Sequence, residues 1–449
     1  MPAGMRGRLD AGYGIITHIF RPINRIRELM IKNSTSAAQD VSITVTWRKI
    51  VVCVLIALVG INLRTIILAV PPVLPLIQHD LHLSYTATGF LTALPILVLG
   101  IAAWLSGLLA ERIGERACVS IGLALLGGGA ILRALWPTIF TLFLFTFLLS
   151  VGIALSQTAV PPLARRWFPT QIGLVTALFS DGLIVGESIA AGLTVPVMAQ
   201  YFGADAWSAT FLFWGIPVIV ALLLWLWIAP SAQIDTLSMP TSIAESASLP
   251  EIVQDESVKP ARARVSALHL GIMLGANSLI YFGMNSWIAS YNQAMHYSSL
   301  TPLALAVLNT AQLPASIGVT FFAQRLAGRR WPFIVSGSIC ALAIAGWVFT
   351  PSTLEILWVA LLGGSSALVF TLGIALPPLL AKPGEVARLT GTTISLTYCV
   401  AFVGPLVGGQ LWDLLQLPAV AFLPVAVASV ALIILGALLP ARSAFGLES

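Results

Sequence analysis

Charged side chains are what this 449-residue sequence has least of: Asp, Glu, Lys and Arg make up 9% of it, against 58% for hydrophobic residues. A soluble domain carries roughly a quarter of its residues as charges. So few cannot cover a water-facing surface, which excludes a cytosolic enzyme, a coiled coil, a collagen and a disordered chain. Cysteine is scarce too. Cys53, Cys118, Cys340 and Cys399 lie far apart in apolar stretches, without CxxC or Cys/His spacing, and read as small helix residues rather than a disulfide framework or a zinc site. Nothing resembles a P-loop, a nucleophile elbow or a metal-protease helix, so neither ATP-driven pumping nor enzyme chemistry is expected, and no cofactor is called for. The net charge of +5 is not gathered into a patch that would suggest nucleic acid. No cleavable signal peptide is visible, because the first long apolar run starts near Ile50.

Long apolar runs are what the sequence does have. A membrane-crossing helix needs about 20 mostly apolar residues, and such runs occur at 50–76, 86–110, 117–136, 138–163, 171–199, 207–229, 266–292, 299–324, 331–350, 354–381, 387–411 and 418–440. The chain therefore reads as an all-α polytopic membrane protein with twelve spans. Its expected parts are an N-terminal segment (1–49), a six-helix bundle (50–229), a polar linker (230–264), a second bundle (265–441) and a tail (442–449). Of the 23 Lys and Arg residues, all but Arg64 and Arg133 fall before span 1, in the linker, after an even-numbered span or in the tail. The opposite loops carry groups such as Asp80, Asp205, Glu355 and Asp413. By the positive-inside rule both termini and the linker are cytoplasmic. Within the N-terminal segment, Ile16, Ile19, Phe20, Ile23 and Met30 alternate with Arg21, Arg25 and Arg27, which fits either a basic amphipathic helix on the membrane surface or an extension ahead of a start at Met30.

The halves echo each other: Pro161-Pro162-Leu163 closing span 4 recurs as Pro377-Pro378-Leu379 closing span 10. Six-plus-six repeats around a cytoplasmic linker suit a transporter that binds its substrate between halves near the midplane. Trp47, Trp136, Trp207, Trp331 and Trp412 sit at span ends, as in an aromatic belt.

The conspicuous polar residues are those inside spans. Arg64 lies roughly 21 Å into span 1 at the helical rise. A guanidinium at that depth costs at least about 2.5–3.5 kcal/mol on insertion scales, so it has a task. It either binds an anionic group with its planar fork or pairs with Asp181 or Glu187. Those two carboxylates, roughly 15 and 24 Å into span 5, are six residues apart and are expected on different sides of the helix. One is a candidate proton carrier. Arg133, near the end of span 3, is expected to snorkel to water. On span 7, Asn277, Tyr281 and Asn285 share a face at i, i+4, i+8; Asn309, Gln312, Thr397 and Tyr398 are further polar candidates for either substrate binding or helix–helix hydrogen bonds. No Lys or Arg lies deep inside spans 7 to 12, Arg388 being at the very start of span 11, which disfavours a multiply charged anion. His79, Asp80 and His82 near the start of span 2 offer conceivable metal ligands, but an exposed loop is the preferred reading.

The run from Gly107 through Glu111, Arg112 and Gly114 to Arg116 resembles the loop motif of the major facilitator superfamily, with Glu111 in the usual Asp position. Such a charge cluster can latch the cytoplasmic side. Together with Asn62-Leu63-Arg64, Pro72-Val73-Leu74-Pro75, Leu91-Thr92-Ala93-Leu94-Pro95, the segment Arg165 to Pro169 and the segment Gly404 to Gly409, it makes spans 1 to 12 similar to the bacterial cyanate and 2-nitroimidazole transporters of that superfamily. The resemblance implies a major facilitator fold and a monomeric inner-membrane transporter of a small anion or polar heterocycle. It also implies proton linkage, with Asn62 and Arg64 in the central cavity. Two departures stand out: the positions of Asp181 and Glu187 are usually uncharged in that branch, and Asn277-Ser278 replaces a more usual Gln-Ser. The rival readings are a proton-coupled multidrug exporter, in which Asp181 and Glu187 bind the cargo, and a non-transporting membrane sensor.

Overall fold

In hydrocarbon the backbone must bond to itself, so apolar crossing segments become helices. The computed structural model describes residues 47, 49–168, 171–203, 207–230, 266–326, 329–377 and 386–439. Most of the N-terminal segment, most of the linker and the tail named above lie outside these. The chain divides into two units, Met1–Val54 and Leu55–Ser449, and the second holds the site. Among the described residues there is no strand, and twelve helices are long and apolar enough to cross a membrane.

Helix starts follow local chemistry. Ser84 caps span 2 (Tyr85–Ile113), its hydroxyl accepting from Ala87 N at 3.1 Å, and Ser266 caps span 7 (Ala267–Ala294) through His269 N at 3.1 Å. Gly114, at φ +86°, turns the chain directly from span 2 into span 3 (Glu115–Leu135), a conformation that favours glycine. Span 1 continues past its helix through a 3-10 turn at Pro71–Val73 into Leu74–Asp80. Span 8, expected as one run, breaks at Ala311 into Thr301–Thr310 and Gln312–Leu326. Pro314 explains the break: it has no N–H to give the Thr310 carbonyl, and its ring crowds that oxygen.

Two close helix crossings place the functional residues. On span 5 (Ile172–Val197), a Cβ on Gly186 would lie 2.1 Å from Ile61 O of span 1, so only glycine permits this approach. On span 11 (Val386–Leu415), a Cβ on Gly409 would lie 2.2 Å from Tyr85 O of span 2. The first crossing lies within one half of the twelve; the second joins the halves.

Several loop expectations are corrected. Trp207 and Trp412 are buried rather than belt residues: Trp207 donates to Asp80 Oδ2 at 2.9 Å, and Trp412 stacks on Tyr85 with ring centroids 4.1 Å apart. Glu355 opens span 10 (Glu355–Ile374) as a buried acceptor from Asn292 Nδ2 at 2.6 Å. Arg133 does not reach water. It is 1% exposed, its guanidinium carbon 3.9 Å from the centre of the Phe211 ring, because spans 1, 4 and 6 close over it.

Candidate functional site

The site is a cavity of about 520 Å³ between the two halves, lined by spans 1, 5, 7, 8, 10 and 11. It extends from mid-helix toward the end of the molecule where span 6 stops at Ile228 and span 7 begins at Ala267, the linker end. There its rim residues Ala177, Ser180, Ile317 and Ile374 are exposed. At the far end the halves are sealed. Asp413, near the end of span 11, accepts from Tyr85 N at 3.0 Å, Thr86 N at 2.7 Å and Thr86 Oγ1 at 2.6 Å, and so sits on the N-terminus of span 2.

The Gly186 crossing sets Arg64 against Glu187. Arg64 Nε lies 3.4 Å from Glu187 Oε1, and both side chains are buried. The other carboxylate oxygen accepts from Tyr281 Oη at 2.7 Å and from Gln312 Nε2 at 3.3 Å. The Tyr281 hydroxyl also reaches Asn309 Oδ1. Asn309 is held in that orientation because its Nδ2 donates to Asn285 Oδ1 at 2.9 Å and Leu305 O at 2.8 Å. Arg64 Nε and Nη1 make no hydrogen bond despite being buried.

Of the expected binding residues, Arg64, Asn277, Tyr281 and Tyr398 line this cavity, together with Asp181 and Glu187. Asn277 also ties span 7 to span 10 through Ser366 O at 3.1 Å. Asn62 does not line it. Two residues from Arg64, it points about 200° away around the helix, and its Nδ2 bonds back to Leu58 O at 2.9 Å. Asn285 lies one turn beyond the cavity and borders a smaller one. The separation expected between Asp181 and Glu187 is not enough to part them: the cavity is wide enough to border both. Ser366, Phe370 and Ile374 of span 10, spaced four apart on the cavity face, were passed over because only a serine among them is polar.

In the span 2–3 loop, Glu111 and Arg112 stand exposed, and Gly107 has open space beside it. The ion pair here is Glu115–Arg166, at 3.3 Å, joining spans 3 and 4. Arg116 Nη2 donates to Leu226 O of span 6 at 3.1 Å. These contacts lie within one half, as expected where the halves have parted at the linker end. Among the described residues no group of three His, Cys, Asp or Glu could hold a metal ion.

Residues 51–409 match the Major Facilitator Superfamily. The chain belongs to that superfamily. The cyanate transport protein CynX of Escherichia coli is 25% identical to it over 79% of this chain and 88% of its own length. The 2-nitroimidazole transporter of the same organism is 26% identical over 86% and 95%. The inward-open xylose transporter XylE from E. coli superposes with a TM-score of 0.67 at 14% identity, over 84% of this chain and 94% of its own. That match carries the superfamily fold.

Proposed function

We propose that this superfamily member is a monomeric secondary active transporter. It moves a small monoanion or polar heterocycle, of the cyanate or nitroimidazole kind, across the bacterial inner membrane by alternating access with proton coupling. The arrangement of Lys and Arg along the sequence supports placing the linker end in the cytoplasm, and the similarity to the cyanate and 2-nitroimidazole transporters of E. coli supports the substrate class. One observation carries the reading: a buried arginine borders the central cavity with its Nε ion-paired to one carboxylate and its Nη1 lacking a hydrogen-bond partner.

In this mechanism the buried pair at the centre of the empty site, Arg64 against Glu187, is neutral as a pair. An entering anion takes the guanidinium fork, and Glu187 then stands as a buried charge without its partner. Such a group neutralises itself by taking a proton, so anion and proton bind together. Tyr281 and Gln312 hold the carboxyl in place through either state. The test is uptake of [14C]cyanate into proteoliposomes under an imposed pH gradient. Glu187→Gln is expected to keep anion exchange and lose gradient-driven accumulation. Arg64→Lys, lacking the fork, is expected to raise the half-saturating concentration about tenfold or more. Wild-type accumulation by the first variant, or unchanged half-saturation in the second, overturns the reading.

Asp181 favours the exporter as the second reading, since it borders the same cavity and has no ion-pair partner among the described residues. Asp181→Asn abolishes binding if the cargo is cationic and leaves anion binding intact.

A further inference from the structure

Arg133 is a second buried arginine, and the central site does not use it. Its Nη2 donates to Ile66 O at 3.3 Å, and its Nε has no hydrogen-bond partner. The ion pairs among the described residues are Arg64–Glu187 and Arg166–Glu115, so no carboxylate neutralises it there. A cation enclosed without a counter-charge is costly, and a backbone carbonyl and a Phe211 ring offset only part of that cost.

The residue borders a separate cavity of about 20 Å³, room for about one water. The same cavity is lined by Thr92, Thr146, Asn285 and Ser286. Thr146 is 2% exposed and its Oγ1 also lacks a hydrogen-bond partner. Two unpartnered polar groups on neighbouring helices, one of them cationic, thus meet at one small void. Phe282 borders both this void and the central cavity, and the Arg64 guanidinium carbon lies 5.9 Å from its ring centre. Phe282 is therefore the residue that the two cavities share.

We propose that Arg133 and Thr146 form a second site for a small monoanion, in the cavity that shares Phe282 with the central one. It receives the ion when the far end opens and passes it inward past that ring. The proposal rests on the anion reading of Arg64 and on the linker end being cytoplasmic. The void is small here because the far end is shut. Asn285 and Ser286 belong to span 7 of the other half, so parting the halves at that end withdraws one wall and enlarges the site.

The test is thermal-shift titration of the purified full-length protein with cyanate, thiocyanate and bromide at constant ionic strength. It compares wild type, R64Q, R133Q and the double variant. A ligand that binds the folded state raises the midpoint. In R64Q a saturable rise is expected to survive, and in the double variant to vanish. Adding T146V to R64Q is expected to raise the half-saturating concentration about tenfold. A rise lost completely in R64Q overturns the second site and leaves the central one standing. A rise equal in wild type and R64Q but lost in R133Q sustains the second site and overturns the central reading. No rise in any protein with any of the three anions overturns both. If R133Q does not fold, T146V decides: unchanged half-saturation in the R64Q background overturns the second site, because a purely structural Arg133 would not couple anion affinity to that hydroxyl.

Discussion

Tyr281 has one phenolic proton and two acceptors within reach, Glu187 Oε2 at 2.7 Å and Asn309 Oδ1. Asn309 cannot turn its amide round, since both hydrogens of Nδ2 are committed to Asn285 and Leu305. With Glu187 charged, the phenol can serve only one of the two acceptors; if it turns to Asn309, Glu187 Oε2 keeps only the longer bond from Gln312 Nε2 at 3.3 Å. With Glu187 protonated, the carboxyl donates to the phenol, the phenol donates to Asn309, and both are satisfied. The hydrogen-bond inventory alone thus gives this carboxyl two competent states, one facing Arg64 and one facing Tyr281. Tyr281→Phe removes the relay, takes the phenolic donor from Asn309 Oδ1 and leaves Glu187 Oε2 with Gln312 alone. It is expected to lower stability by about 1–3 kcal/mol, seen as a lower thermal midpoint. Gradient-driven accumulation should fall more than anion exchange. A variant with unchanged accumulation would show that the relay has no part in coupling. Arg64, Asp181 and Glu187 were legible in the sequence because a charge within an apolar span is conspicuous. Asn62 misled because an amide can be satisfied by its own helix, which composition does not disclose.

At the level of helices, the contact between Arg64 and Glu187 depends on how closely spans 1 and 5 cross. Gly182 repeats the pattern one turn before Gly186, a Cβ there falling 2.5 Å from Ala57 O, so the crossing runs along a small-residue ridge. Gly186→Val would force backbone against backbone and push the spans apart. The expected cost is about 1–3 kcal/mol as overpacking, and the anion-induced thermal shift should weaken because Glu187 is carried away from Arg64. Retention of both the midpoint and the shift would count against the crossing as the positioning element. The spans themselves were readable from length and apolarity, since a bilayer leaves no alternative to helices. The break at Ala311 was not read, although Pro314 signals it, because an apolar run hides a proline that interrupts only hydrogen bonds. The pairing of span 1 with span 5 is a matter of shape between distant segments. No local pattern states it.

Across the whole molecule, the state seen here is held by its far end. Asp413 places a carboxylate on three donors at the start of span 2, where the helix dipole also favours negative charge. The Tyr85–Trp412 stack and the Gly409 crossing lie beside it. At the linker end, the described charge contacts Glu115–Arg166 and Arg116–Leu226 O stay within one half. The two ends cannot both be fastened in a rocking mechanism, so weakening one latch must populate the other state. Asp413→Asn keeps the size of the side chain but gives up charge-assisted bonds, which removes about 1–2 kcal/mol and moves the equilibrium roughly five- to thirtyfold toward the form open at the far end. In a background with Cys53, Cys118, Cys340 and Cys399 replaced, Ser286→Cys beside the small far cavity should then react faster with a membrane-impermeant thiol reagent. Ser180→Cys, exposed at the linker-end mouth, should react more slowly. Opposite changes at the two positions are the signature of a shifted rocking equilibrium. Acceleration at both would instead mean that the Asp413 contact only stabilises the fold.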